Sequence, residues 1–193
     1  MKSRSAIGFT LIELMVTITM IAIVLTVGVP SFQSSIRNSV LTAGINEFIA
    51  ALNFARGEAI KRGVNVTVRR TSAPCPSTTS SVGYEGGWQV FTDVNAHGCN
   101  DSSSDQVLRT HASLNNGYTL WGNSVVNYIS YKPDGTSQNY GSFALCDATN
   151  TLTPNTARVI SVSMLGRITM VTAGSNGSLT FSNSGGGPCP ASP

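Results

Sequence analysis

The residues that could carry chemistry are few and widely spaced. The chain has two histidines, His97 and His111, and four cysteines, Cys75, Cys99, Cys146 and Cys189. It contains no nucleophile elbow, phosphate-binding loop or dinucleotide fingerprint. Both histidines read as loop and surface residues rather than catalytic bases, so neither an enzyme nor a cofactor is expected. One carboxylate stands apart. Glu13 adjoins a run from Leu14 to Ile36 that holds no charged residue. A lone carboxylate at the start of a spanning helix costs up to about 3 kcal/mol unless it is partnered or near the interface.

The cysteines all follow this apolar run. If the run sits in a membrane with the basic Lys2 and Arg4 on the cytoplasmic side, they lie in an oxidising compartment, where disulfides persist. Of the three pairings that four cysteines allow, Cys75 with Cys99 and Cys146 with Cys189 are preferred. The first closes a loop of about 25 residues, worth roughly 3 kcal/mol in the chain-entropy model. The alternative, a zinc site at Cys75, His97 and Cys99, lacks a Cys-x-x-Cys pair, so no metal is expected. The loop Asp93-Val94-Asn95-Ala96-His97-Gly98 partly mimics a calcium loop. Its fifth position is His97 and its twelfth is Ser104 rather than glutamate, so a hairpin loop stabilised by Asp and Asn is preferred.

The elements that position these residues follow from composition and periodicity. The 193 residues suffice for one domain plus an extension. Charged residues make up 11%, against roughly 25% in soluble domains, and much of the deficit lies near the N-terminus. The net charge of +3 falls to a formal +1 without Lys2 and Arg4, a balance that does not point to nucleic acid. Leu14 to Val29 is long enough to cross, or nearly cross, a core of about 30 Å as a helix. Thr26-Val27-Gly28 is a weak signal-peptidase site with Pro30 close behind it. A kink or local melting is expected at Gly28–Pro30. Leu41, Ile45, Phe48, Ile49, Leu52, Ala55, Ala59 and Ile60 then form one apolar helical stripe. Glu58 and Arg62 are a favourable i,i+4 pair, and Gly63 is a natural stop. From Phe9 to Gly63 such a helix would be about 80 Å long.

Strands are expected at Val64–Val68, Gly87–Phe91, Gln106–Arg109, Tyr118–Trp121, Tyr128–Tyr131, Ser142–Cys146, Ala157–Val162 and Arg167–Met170. Polar residues fill 93–105, Lys132-Pro133-Asp134-Gly135 signals a turn, and Ser182 to Pro193 is a Gly/Pro-rich tail. A helix followed by many strands implies an α+β domain with the helix laid on a curved antiparallel sheet.

The stretch Gly8-Phe9-Thr10-Leu11-Ile12-Glu13-Leu14, after a short basic leader and before the apolar run, resembles the prepilin processing site of type IV pilins and type II secretion pseudopilins. The resemblance implies cleavage between Gly8 and Phe9 by a prepilin peptidase, and N-methylation of Phe9. It implies that Glu13 pairs with the N-terminal amine of a neighbouring subunit, which supplies the opposite charge a buried carboxylate needs. The stretch Asn46 to Arg62, with its Phe48, Leu52, Ala55-Arg56 and Glu58-Ala59, resembles the GspH/FimT group of minor pilins and pseudopilins. So do Gly87-Trp88-Gln89-Val90-Phe91, Leu108-Arg109, Pro133-Asp134-Gly135 and Gly166-Arg167. The group implies the type IV pilin fold, with the hydrophobic half of a long N-terminal helix protruding and the other half packed on the sheet. It divides the chain into a leader (1–8), a hydrophobic transmembrane and assembly helix (9–37), an amphipathic half (38–63) and a β-rich domain (64–193).

The function implied is that of a minor pilin priming pilus assembly at the tip. Its partners would be other minor pilins, the major pilin, the prepilin peptidase and the inner membrane. The bulk of the chain would be periplasmic, and later part of the extracellular pilus. A minor pseudopilin of type II secretion is the alternative within the class. A DNA-binding uptake pilin is the alternative outside it. Some FimT-type pilins carry Gly-Arg-x-Arg near the C-terminal strand, and here Gly166-Arg167-Ile168-Thr169 lacks the second arginine. Arg158 and Arg69-Arg70 are further candidate phosphate contacts, but dispersed arginines bind phosphate weakly. Nucleic acid is therefore not the favoured partner.

Overall fold

The computed structural model describes residues 9–71, 75, 83–114, 117–123, 127–147 and 156–171. Lys2, Arg4, Gly8, Cys189 and the Gly/Pro-rich tail lie outside them. Among the described residues one α-helix, α1, runs over Leu11–Arg62, and a single 3-10 turn covers Tyr84–Gly86. Eight strands follow: β1 (Val66–Arg70), β2 (Trp88–Thr92), β3 (Val107–His111), β4 (Thr119–Asn123), β5 (Tyr128–Tyr131), β6 (Gly141–Cys146), β7 (Ala157–Val162) and β8 (Ile168–Val171). The chain divides into two compact units, Met1–Arg37 and Asn38–Pro193.

In the first unit, α1 is long and apolar enough to cross a membrane. Its large side chains from Leu11 to Ile36, where described, are exposed. The helix is unbroken through Gly28 and Pro30, so the local melting expected there is absent. Proline removes one N–H from the ladder, and the flanking bonds carry the helix past it.

In the second unit, Leu41, Ile45, Phe48, Leu52, Ala55 and Ala59 recur at alternating steps of four and three, a narrow seam. All six are fully buried, with Ala51 beside them. Ile60 departs from expectation and is 55% exposed. It sits one residue, about 100° of helical rotation, from the seam residue Ala59. Gly63 ends the helix as expected, with φ +69° and its N–H donating to the Ala59 carbonyl at 3.0 Å.

The final turn carries the Glu58–Arg62 pair, with Nε 2.6 Å from Oε2. That hydrogen bond holds the Glu58 carboxyl below the usual carboxylate range, against an opposing desolvation effect. A depressed folded value contributes stability above the unfolded value of about 4.3, lost as pH falls through the lowered folded value. Glu58→Gln is therefore expected to flatten the acid limb of the stability curve while leaving the fold intact at neutral pH. Thermal midpoints across that range check this; parallel curves for the two chains would refute it.

The strands form two four-stranded antiparallel sheets rather than the one curved sheet expected. Their orders are β3-β2-β1-β5 and β4-β6-β7-β8. The chain leaves the first sheet after β3, returns for β5, and leaves again. Both sheets share one core with the helix, joining Val66, Val68, Trp88 and Ile129 to Leu120, Phe143, Leu145 and Ile160. Phe48 is the joint. Its ring meets Trp88 of the first sheet edge-on at 5.1 Å, Phe143 of the second at 4.9 Å and Tyr84 at 5.3 Å. Such pairs add about 0.5–1.5 kcal/mol each beyond area burial.

Strand β1 alternates in type but not in burial, for all five residues are buried. It is a central strand between β2 and β5. Thr67 and Arg69, out of phase with Val66 and Val68, bond to the 93–105 loop: Thr67 to Asp93 at 2.7 Å and Arg69 to the Gly98 carbonyl at 2.7 Å.

Candidate functional site

The first site is the start of α1. Thr10 and Glu13 form a reciprocal capping box. The Glu13 backbone N–H donates to Thr10 Oγ1 at 3.3 Å. Glu13 Oε2 accepts from the Thr10 hydroxyl at 3.3 Å and from its N–H at 3.5 Å. Glu13 thus has a local task that the Thr-x-x-Glu spacing signals and the sequence reading missed. Phe9 precedes the helix and is 79% exposed.

The second site is the 93–105 loop. Asp93 is fully buried and accepts from the His97 N–H at 3.2 Å, the Gly98 N–H at 2.8 Å and the Thr67 hydroxyl. Asp105 accepts from the Val94 and Ser102 N–H groups, both at 3.0 Å. The two carboxylates therefore act as internal anchors, the preferred reading of this loop. Gly98, at φ +78°, passes so close to the Tyr128 ring that a Cβ would lie 2.5 Å from it.

Cys75 and Cys99 form a disulfide with Cα atoms 5.9 Å apart, the expected pairing. With both sulfurs bonded to each other, the Cys75–His97–Cys99 zinc alternative has no thiolate to offer in this state. Cys146 is also a disulfide cysteine, and its expected partner Cys189 lies outside the described residues.

The third site joins the family landmarks. Arg56, on the flank of α1 next to the seam, donates from Nε to the Gly135 carbonyl at 2.8 Å and from Nη2 to the Leu165 carbonyl at 3.1 Å. The Pro133-Asp134-Gly135 turn and the Leu165-Gly166-Arg167 turn thus meet at one guanidinium. Gly166 is buried at φ +73°, and a Cβ there would run into the Gly135 carbonyl. Sequence reading found these motifs separately; the pairing of a helix arginine with two distant carbonyls leaves no local signal.

The arginines considered for phosphate binding are scattered. Arg69 and Arg70 are 1% and 0% exposed, which removes both from a phosphate-binding surface. Arg70 bonds to Asn127. Desolvation lowers the proton affinity of both guanidinium groups. Arg158 is partly buried and donates to Asn38 Oδ1 at 3.3 Å; Arg167 is exposed. His111 is a strand residue rather than a loop one. It stacks on Trp88 at 3.9 Å and lies 2.8 Å from Glu47 of α1.

An apolar N-terminal helix capped by Thr10 and Glu13, with its second half seated on antiparallel sheets, defines a type IV pilin-like subunit. The family described as Type II transport protein GspH matches residues 44–166, and the prokaryotic N-terminal methylation motif matches residues 3–29. The chain belongs to the GspH family, within the GspH/FimT group of pilin-like proteins. It is similar to the Prepilin peptidase-dependent protein D of Escherichia coli K12, 36% identical over 74 residues, which are 38% of this chain and 51% of that protein. The chain thus spans about half the length of this curated relative. Two crystal forms of the type IV minor pilin FimU of Pseudomonas aeruginosa PAO1 share the fold. Each gives a TM-score of 0.53, at 22% and 21% identity, over 68% of this chain and 87% and 92% of theirs. The family consists of structural pilin and pseudopilin subunits.

Proposed function

We propose that the chain is a minor type IV pilin that primes pilus assembly at the tip with other minor pilins and the major pilin. It would enter the inner membrane with its bulk periplasmic, and a prepilin peptidase would cut between Gly8 and Phe9 and methylate Phe9. The resulting parts are the leader (1–8), the assembly helix (9–37), the amphipathic half (38–63) and the β domain (64–193), with Cys146–Cys189 as a second disulfide. The observation that carries this reading is the long apolar stretch after Phe9, with Glu13 its sole charge before Arg37 and its side chains exposed in the isolated chain. Such a surface calls for lipid or other apolar helices around it.

The capping box sharpens the test. Glu13→Gln keeps a capping acceptor but removes the charge. If Glu13 pairs with a neighbour's amine, both Glu13→Ala and Glu13→Gln should be processed and inserted yet absent from sheared pili. Immunoblots of membrane and pilus fractions measure this. Incorporation of Glu13→Gln at the normal level would leave capping as the role and sink the charge pairing. Cross-linked neighbours identify the machine: pseudopilins in place of pilins would assign it to type II secretion.

A further inference from the structure

We propose that reduction of the Cys75–Cys99 disulfide converts the 93–105 loop into a tetrahedral zinc site with Cys75, Cys99, His97 and Asp101 as ligands. One donor atom from each of His97, Cys99 and Asp101 lies within 4.8 Å of the other two. The Cys75 sulfur, bonded to that of Cys99, is the fourth donor at the same place. His97 Nε2 and Asp101 Oδ1 are 3.2 Å apart. Two donors about 2.0–2.1 Å from one tetrahedral zinc stand about 3.3 Å from each other, so this pair is already spaced to share a metal. His97 Nδ1 accepts the Cys99 N–H at 3.2 Å, which turns Nε2 toward Asp101. Two sulfurs, an imidazole and a carboxylate are a donor set that suits zinc.

The arrangement does not depend on the cross-link. Buried Asp93 fixes the His97 and Gly98 N–H groups, Arg69 holds the Gly98 carbonyl, and Gly98 packs on Tyr128. The donor-bearing segment therefore keeps its course when the sulfurs separate. A dithiol reductant supplies two electrons and two protons to the S–S bond and closes to its own disulfide, leaving two thiols on the chain. Zinc then displaces one proton from each thiol, and the imidazole proton moves from Nε2 to Nδ1 as Nε2 takes the metal, so that the contact from the Cys99 N–H is given up. Either bond type, sulfur–sulfur or sulfur–metal, ties residue 75 to the loop.

The test uses the full chain in detergent micelles, reduced with a water-soluble phosphine and titrated anaerobically with Co²⁺ and then Zn²⁺. The expected result is tetrahedral cobalt–thiolate bands that saturate at one metal per chain and are bleached by zinc. The bands should vanish in Cys75→Ser. Affinity should fall at least about tenfold in His97→Gln and in Asp101→Asn, the cost of losing even an outer partner of a ligand. The oxidised chain should show none. Absent bands in the reduced chain, bands in the oxidised one, or affinity unchanged in both His97→Gln and Asp101→Asn would overturn the proposal. Far-UV circular dichroism of the reduced, metal-free chain is measured alongside. Unfolding there would refute it too, because the site requires a loop that stands without its cross-link.

Discussion

Phe48→Ala is expected to lower the unfolding free energy by about 3–5 kcal/mol, the cost of an aromatic deletion in a packed core. The ring is fully buried and touches three aromatic residues, one from each sheet and Tyr84 outside them. Deleting it opens a void at the junction of three layers, where collapse on one side would pull the helix from the other. Urea unfolding of the full chain in detergent, followed by the fluorescence of Trp88 and Trp121, measures the loss. Phe48→Leu should fall between the two, since it restores most of the volume without the ring edges. A loss near the average of about 1 kcal/mol for any substitution would mean that the core is not organised around this side chain.

Arg56→Ala is expected to cost about 3 kcal/mol. Hydrogen bonds made by a charged donor contribute about 1.5–3 kcal/mol each, and Arg56 makes two, to carbonyls 79 and 109 residues away in sequence. Arg56→Lys should rescue little, because a single ammonium lacks the planar fork that reaches both turns. Hydrogen exchange supplies a second readout. The Gly135 and Gly166 amides close their turns onto the Lys132 and Ser163 carbonyls, and both should exchange faster in the alanine variant. Full stability in Arg56→Lys would show that charge alone matters and that the two-turn clamp is wrong.

Much of this fold is legible in the sequence because its signals are local. The helix seam follows from spacing, Gly63 from its freedom at positive φ, the first strand from its alternation, and the other seven from short runs of strand-forming residues between turn signals. Tyr128–Tyr131 and Ala157–Val162 match at both ends. What is not legible is which strands pair. Every strand presents a similar pattern, so nothing in Thr119–Asn123 or Tyr128–Tyr131 tells which sheet it joins. The burial of Arg69 is hidden for a related reason. A Thr-x-Arg alternation on β1 reads as a wet face until the disulfide-bearing loop covers it.

At the candidate sites the same division holds. The Cys75–Cys99 pair and the Asp-anchored loop could be anticipated from composition, compartment and turn chemistry. Arg56 could be noticed only as part of a family pattern, because its partners are turn carbonyls that sequence does not single out. Glu13 was visible as an unusual charge, and its Thr10 partner was visible too, three residues away.

The Arg56 clamp also has a mechanical consequence. The seam from Leu41 to Ala59 runs along the helix axis, and Arg56 ties its far end to turns of both sheets. A pull along that axis loads the buried contacts together, in shear, rather than peeling them away one turn at a time. Rupture then demands the simultaneous failure of many weak contacts.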